Sequence, residues 1–329
     1  MAQDYELYSA PHIFIVSQSR ASIMRSTFLY VMTVLIWGST WLAIEFQLGV
    51  VPPEVSLVYR FSIAAFLMWG YCLWRKLPLK FAARDHMFFV ILAVCNFGCN
   101  YLLLYWAQAY LTSAMSSIAF STLLIMNIIN NRLFFGQRIA PRMFVGAALG
   151  LAGIVALFWQ DIRSFDLSST AMMGLGLSIA GTMVASLGNM TSVRNSKNKV
   201  GVMQGNAWGM LYSAVFLSAY VVLNGGSFVF DFSAPYVLSL LYLSVFGTVI
   251  AFAFYFMLLR DIGPEKASYT VVLFPVVAVV LSIWFEGFAL VPSALLGFIL
   301  VLTGNVIVLT PFRKIKALLS ANKAAQPLV

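Results

Sequence analysis

The chain of 329 residues is 61% hydrophobic and 9% charged, and it carries a formal net charge of +9. Soluble globular domains are typically about 45–50% apolar and about 25% charged, so this composition excludes a water-soluble globule and indicates that the solvent is lipid. The basic residues form short clusters between apolar runs, a pattern that sets membrane topology and argues against a nucleic-acid partner.

Ten apolar stretches reach the length of about 20 residues that a helix needs to cross a bilayer core. In the first half of the chain they are residues 27–48, 52–74, 86–109, 112–134 and 141–159. In the second half they are residues 170–192, 202–223, 235–259, 264–285 and 292–310. The sequence therefore predicts an all-α integral membrane protein with ten transmembrane helices in two five-helix halves, 27–159 and 170–310.

The two ends of the chain lie outside these halves, as an amino tail at 1–26 and a basic carboxyl tail at 311–329. Residues 1–23 contain no stretch of spanning length, whereas Met24 directly precedes the first predicted helix. Met24 therefore looks like a natural amino terminus, and we expect residues 1–23 to be disordered and dispensable.

The positions of the basic residues predict the orientation of the helices. Of the 20 lysine and arginine residues, 18 fall in the tails and alternate loops of one side. The exceptions are Arg163, on the opposite side, and Arg60, inside the second predicted helix. Because cytoplasmic loops carry the excess of basic residues, we predict a multi-pass protein of the inner (plasma) membrane with both termini in the cytoplasm.

The two halves resemble each other around their last helices. A proline and two glycines of the first half recur 151 residues later: Pro141, Gly146 and Gly153 become Pro292, Gly297 and Gly304. Since each half has an odd number of predicted spans, the second copy must cross the membrane in the opposite sense. Inverted repeats of this kind are common in transporters.

Several runs carry a family resemblance. They are LIWGSTWLAI at 35–44, Tyr59-Arg60-Phe61, FFGQRIAPRMFVGAALGLAGIVAL at 134–157 and GPEKASYTVVLFPVVAVVLSIWFEG at 263–287. Over residues 27–310 the chain resembles EamA-type members of the drug/metabolite transporter superfamily. The resemblance implies two five-helix halves whose fifth and tenth helices lie outside a central cavity. It also implies transport, with export of amino acids or related compounds as the expected activity.

Two positions depart from the pattern of that family. Its common proline late in the fourth helix is matched by Pro275 in the second half but by Leu124 in the first. Its usual Gly-Glu pair before the fifth helix reads Gly136-Gln137. These departures argue against identical movements of the two halves.

Aromatic and amide side chains at membrane depth are the candidate substrate-binding residues: Trp37, Trp41, Asn100, Tyr101, Tyr105, Asn127, Asn189 and Tyr255. An unsatisfied amide in lipid would cost several kcal/mol, so these groups must face other helices or a wet cavity. Packing between helices is the alternative role for the two tryptophans and for some of the amides. We expect the substrate path between predicted helices one, three and four and their counterparts six, eight and nine.

Three charged residues near or within the predicted helices are candidates for an ion pair or for proton coupling. A guanidinium inside a span, as at Arg60, is costly unless it is paired or hydrated. Glu45 is the expected partner of Arg60 because short loops make consecutive helices neighbours; binding of a substrate carboxylate is the alternative role of Arg60. Glu286 is either a coupling group or an interfacial carboxylate that faces water.

The sequence contains no nucleotide-binding loop, and its three cysteines and two histidines form no metal or redox motif, so no cofactor and no metal are predicted. The predicted partners are a small-molecule substrate and the lipid bilayer, with a homodimer left open. A secondary transporter that works by alternating access is the favoured function. A nucleotide-sugar or phosphorylated-sugar carrier, an intramembrane enzyme and a channel are the alternatives.

Overall fold

The computed structural model of the chain describes residues 20–136, 139–159, 170–262 and 269–309. Regular secondary structure in these ranges is entirely helical, which confirms the predicted all-α fold. By length and composition, seven of the described helical segments can cross a membrane: Ile23–Glu45, Pro53–Trp74, Ala83–Gln108, Ser113–Phe135, Thr170–Lys197, Val202–Leu223 and Ala234–Tyr255. The protein is therefore a multi-pass membrane protein.

The helices of the first half are α1 (Arg20–Glu45), α2 (Pro53–Trp74), α3 (Ala83–Leu92), α4 (Asn100–Gln108), α5 (Ser113–Phe120), α6 (Leu123–Phe135) and α7 (Pro141–Leu157). Those of the second half are α8 (Thr170–Lys197), α9 (Val202–Leu223), α10 (Ala234–Leu241), α11 (Ala251–Ile262), α12 (Tyr269–Phe285) and α13 (Pro292–Leu309). Two π-helical segments join α3 to α4 and α10 to α11, at Ala93–Cys99 and Tyr242–Ile250.

The start of α1 and the end of α8 differ from the predicted boundaries. Helix α1 begins at Arg20, so the prediction that residues 1–23 are disordered is wrong for residues 20–23, and residues 1–19 lie outside the described ranges. Helix α8 continues to Lys197, five residues past its predicted end. Gln137, Arg163, the residues 263–268 and the carboxyl tail also lie outside the described ranges.

The two π-helical segments occupy related places in the two halves, and each contains a Phe-Gly pair, Phe97-Gly98 and Phe246-Gly247. Helices approach each other closely at these glycines. A Cβ on Gly98 would lie 3.1 Å from a ring carbon of Phe216, and one on Gly247 would lie 2.8 Å from Cγ2 of Thr40. Short π-helical turns within α-helices often mark functional sites.

A break separates α5 from α6 at Ser121 and Thr122, close to the position where the family has its proline and this chain has Leu124. Both hydroxyls donate to backbone carbonyls one turn back, Ser121 to Ile118 at 2.6 Å and Thr122 to Ala119 at 2.8 Å. Serine and threonine bonds of this type compete with the helix ladder and bend it. The helix is thus interrupted without a proline.

Helices α7 and α13 pack against each other through their glycines. A Cβ on Gly146 would lie 2.6 Å from the carbonyl oxygen of Gly304, and one on Gly153 would lie 2.7 Å from that of Gly297. The first glycine of one helix therefore meets the second glycine of the other, so the two helices run antiparallel. Small residues at such contacts let two backbones approach closely in a membrane.

Polar contacts between helix ends define two ends of the bundle. At one end, which we call the acidic end, they join Glu45 to Gln108, Glu286 to Ser113, and Gln47 to Tyr236. At the other, which we call the basic end, they join Arg194 to Asp85 at 2.9 Å and Arg25 to Asp261 at 3.5 Å.

Candidate functional site

A cavity of about 770 Å³ lies between the two halves. It is lined by residues of α1, α2, α4, α5 and α6 in the first half, of α8, α9, α11 and α12 in the second, and by the first π-helical segment. Helices α7 and α13 contribute no described lining residue, which agrees with their expected place outside the cavity. The volume is within the range that holds a small molecule.

Seven of the eight candidate substrate-binding residues line this cavity: Trp37, Trp41, Asn100, Tyr101, Asn127, Asn189 and Tyr255. The eighth, Tyr105, is fully buried and is not among the lining residues. Its hydroxyl accepts a hydrogen bond from Nη1 of Arg60 at 3.2 Å. Tyr105 therefore supports Arg60 from behind, and its direct contact with substrate stays a prediction.

An aromatic cluster around Trp37 forms the apolar wall. The Trp37 ring lies 5.2 Å from the ring of Tyr255 and 5.3 Å from those of Phe252 and Phe274. Its Nε1 donates to the carbonyl oxygen of Gly247 at 3.2 Å, which fixes the indole against the second π-helical segment. Gly38 allows α1 to approach α12, because a Cβ there would lie 2.9 Å from Cγ1 of Val277.

Arg60 is held in the cavity wall by neutral partners. Its Nε and Nη2 each donate to Oγ1 of Thr248 at 3.3 Å. The Thr248 hydroxyl in turn donates to the carbonyl oxygen of Leu243 at 2.8 Å, so its oxygen is oriented as an acceptor. The guanidinium also lies 4.6 Å from the ring centroid of Tyr101. The second π-helical segment thus positions the cation that the first half contributes.

The predicted pair between Glu45 and Arg60 is not formed. Among the described residues, Arg60 has no salt bridge within 4.0 Å, and Glu45 accepts a hydrogen bond from Nε2 of Gln108 at 2.8 Å instead. The same nitrogen donates to the carbonyl oxygen of Trp41 at 2.9 Å. Glu45 lies at the acidic end of α1, whereas Arg60 points to the middle of the bundle, so adjacency of α1 and α2 does not bring the two charges together.

Amides form another polar part of the cavity wall. Nδ2 of Asn189 donates to Oδ1 of Asn127 at 3.3 Å, which joins α8 to α6 across the two halves. Oδ1 of Asn100 and Nδ2 of Asn206 are buried and have no hydrogen-bond partner among the described residues. Both residues line the cavity. Both atoms are covered by neighbouring protein atoms, so neither is open to the cavity in this conformation.

The cavity reaches the surface at the basic end. Its lining includes Ser196 and Lys197 in the last turn of α8, which are exposed, and Val202 at the start of α9. Nζ of Lys197 lies 3.8 Å from the ring centroid of Phe135. Sequence reasoning missed Lys197 because it counted this residue only as a loop charge. The composition of residues 193–197 does not indicate that α8 extends beyond residue 192.

The acidic end is closed by bonds between the halves. The Glu286 carboxyl group, just after α12, accepts from the backbone N–H of Ser113 at 2.9 Å and from its hydroxyl at 2.5 Å. Nε2 of Gln47 donates to the carbonyl oxygen of Tyr236 at 3.0 Å, and the hydroxyls of Tyr236 and Ser56 are 3.0 Å apart. Glu286 is thus part of a cross-half contact and is only partly buried. Neither of its two predicted roles is tested by this contact.

These features define a multi-pass helical membrane protein with an internal cavity that is accessible from one end. The chain belongs to the EamA-like transporter family, whose sequence profile matches residues 24–159 and 172–310. The match confirms the resemblance found in the motifs of both halves.

Relatives and a solved structure extend this comparison. Protein PagO of Salmonella typhimurium is 23% identical over 268 residues, which cover 82% of this chain and 87% of that protein. The uncharacterized inner membrane transporter YedA of Escherichia coli K12 is 28% identical over 256 residues, which cover 77% and 80%. A solved crystal structure of a protein matches with a TM-score of 0.63 and 18% identity, covering 88% of this chain and 98% of that one. This last likeness shows the fold alone.

Proposed function

We propose that the protein is a secondary transporter of small metabolites, such as amino acids or related compounds, and that it works by alternating access. The observation that carries the proposal is the cavity between the halves, which reaches the basic end at Lys197 and stops at the acidic end below the bond between Glu286 and Ser113. A carrier needs a central substrate site that is open to one side of the membrane at a time, with contacts that close the path to the other side.

The proposal includes ten transmembrane helices arranged as two inverted repeats. The reciprocal contact of Gly146 with Gly304 and of Gly153 with Gly297 supports a two-fold relation between α7 and α13. The similar positions of the two π-helical segments support it as well. Exchange of conformations between two such halves would close the basic end and open the acidic end.

We further propose that the basic end faces the cytoplasm of the inner membrane and that the protein is an exporter. The excess of lysine and arginine on one side supports the orientation. The cavity would then be loaded from the cytoplasm in the conformation described here. A membrane-impermeant thiol reagent should reach a cysteine placed at Phe120 in the cavity from the cytoplasmic side; reaction only from the other side would contradict the orientation.

Counterflow in proteoliposomes tests the transport function. The purified protein is reconstituted, each amino acid in turn is loaded unlabelled inside, and the same labelled compound is added outside. We expect internal substrate to accelerate uptake several-fold for at least one compound, because the returning carrier is loaded rather than empty. Liposomes without protein are the control.

The same measurement separates the alternative functions. A channel would give uptake that is unaffected by the compound on the other side, and an intramembrane enzyme would give conversion without exchange. A nucleotide-sugar carrier would exchange nucleotide sugars instead of amino acids. Its several phosphate charges would face only two basic side chains among the described lining residues, Arg60 and Lys197.

A further inference from the structure

We propose that the substrate carries a carboxylate beside an apolar body and that Arg60 binds this carboxylate. The inference rests on the proposed transport function and names the chemical class that the cavity accepts. Zwitterionic amino acids and simple monocarboxylates share this chemistry, whereas amines and neutral amides do not. It also assigns to Arg60 a role beyond helix packing.

The hydrogen-bonding capacity of Arg60 is only partly used. A guanidinium has five N–H donors, and three described bonds engage Nε, Nη1 and Nη2 once each, two with Thr248 and one with Tyr105. One N–H on each terminal nitrogen therefore remains. Two such donors can bind the two oxygens of a carboxylate. Arg60 is 1% exposed and belongs to the cavity wall, so a carboxylate would bind it away from bulk water once the side chains that cover the guanidinium move aside.

Among the described residues, no carboxylate lies within 4.0 Å of Arg60 to compensate its charge. Its described hydrogen-bond partners are hydroxyls, and the rings of Tyr101 and Phe61, at 4.6 and 5.7 Å, offer only cation–π attraction. Such attraction is weaker than pairing with an opposite charge, and a buried charge is normally paired. A substrate carboxylate would supply the missing negative charge in a region of low dielectric constant.

The remainder of the cavity wall favours the same class of substrate. No described lining residue is acidic, so an amine without a carboxylate would find no counter-charge. Lys197 adds positive charge at the opening, which raises the local concentration of anions. The rings around Trp37 can hold an apolar body. A phosphate group with several negative charges would exceed the single positive charge of the buried Arg60 guanidinium.

Thermal unfolding of the purified wild-type protein with matched ligands tests the proposal without any substitution. The probes are 3-phenylpropanoate, its neutral amide, 3-phenylpropylamine, phenylalanine and phenyl phosphate. We expect the two carboxylates, 3-phenylpropanoate and phenylalanine, to raise the Tm and to bind with at least tenfold lower Kd than the amide and the amine. The relative affinities of phenylalanine and 3-phenylpropanoate then distinguish a zwitterionic substrate from a simple anion. Equal shifts, including none, or a stronger effect of the phosphate would overturn the proposal.

Variants then connect the preference to Arg60. Arg60→Gln should abolish the discrimination between 3-phenylpropanoate and its amide, and Arg60→Lys should retain part of it. Arg75→Gln, which removes an exposed arginine at the basic end, should leave it unchanged. Discrimination that survives in a folded Arg60→Gln protein would refute the assignment. If that variant does not fold, the ligand series on the wild-type protein and the Arg60→Lys variant decide.

Counterflow by a wild-type protein that shows no preference for carboxylates would refute this inference and leave the transport function standing.

Discussion

Replacement of Gly153 by leucine will prevent the two halves from packing and will remove most of the folded protein from the membrane. A Cβ at this position lies 2.7 Å from the carbonyl oxygen of Gly297 and 2.9 Å from the backbone nitrogen of Val301. Both contacts are with backbone, which cannot rotate away as a side chain could. Overpacking typically costs about 1–3 kcal/mol and sometimes more, and a leucine at a backbone contact belongs at the upper end.

A helical glycine in open space provides the matched control. Gly176, in α8, has no atom within 4 Å of an added Cβ, so Gly176→Leu should leave abundance and Tm near those of the wild type. Abundance in the membrane and the Tm of purified protein are the measurements. Equal behaviour of the two leucine variants would contradict the close contact between α7 and α13.

Replacement of Glu286 by alanine will shift the protein toward conformations that are open at the acidic end. The carboxyl group of Glu286 accepts bonds from the backbone and the hydroxyl of Ser113, which join α12 to the start of α5. A hydrogen bond to a charged group typically contributes about 1.5–3 kcal/mol. Loss of one such bond would shift the equilibrium between the two conformations about ten- to hundredfold.

The shift can be measured by labelling a cysteine at Phe120 in a protein whose Cys72, Cys95 and Cys99 are replaced by serine. Phe120 lines the cavity below the closed end. An impermeant maleimide added at the acidic end should react at least tenfold faster when Glu286→Ala is present. Glu54→Ala removes a carboxylate from the first turn of α2, at the same end, and should have no such effect. An unchanged rate with Glu286→Ala would show that this bond does not hold the cavity closed.

The sequence was sufficient for those features of the fold that depend on local patterns. Helix α9 has the predicted bounds, 202–223, and α2 begins one residue after its predicted start, because apolar length and flanking proline or glycine limit these helices. Seven of eight candidate binding residues line the cavity, since an amide or aromatic side chain at membrane depth must face protein or water. Their role in binding stays a prediction.

Features that depend on packing between distant segments could not be predicted. Arg60 bonds to Thr248, 188 positions away, and the π-helical geometry around Thr248 has no recognisable composition. Tyr101 and Tyr105 share one face of α4, one turn apart, but Tyr101 reaches the cavity while Tyr105 lies behind the guanidinium. Sequence spacing predicts which face of a helix a residue lies on. It does not predict how far a side chain from a neighbouring helix extends across that face.

The central claim is that substrate passes through the cavity between the halves, and transport normalised to the amount of protein in the membrane tests it most directly. Asn127→Ala removes a cavity amide that bonds to Asn189, and Leu149→Ala changes a residue of α7 near Gly304, outside the cavity. We expect Asn127→Ala to lower specific transport at least tenfold at unchanged abundance, and Leu149→Ala to lower abundance while each remaining molecule transports normally. Full specific activity of Asn127→Ala, together with loss of specific activity in Leu149→Ala, would contradict the proposed path.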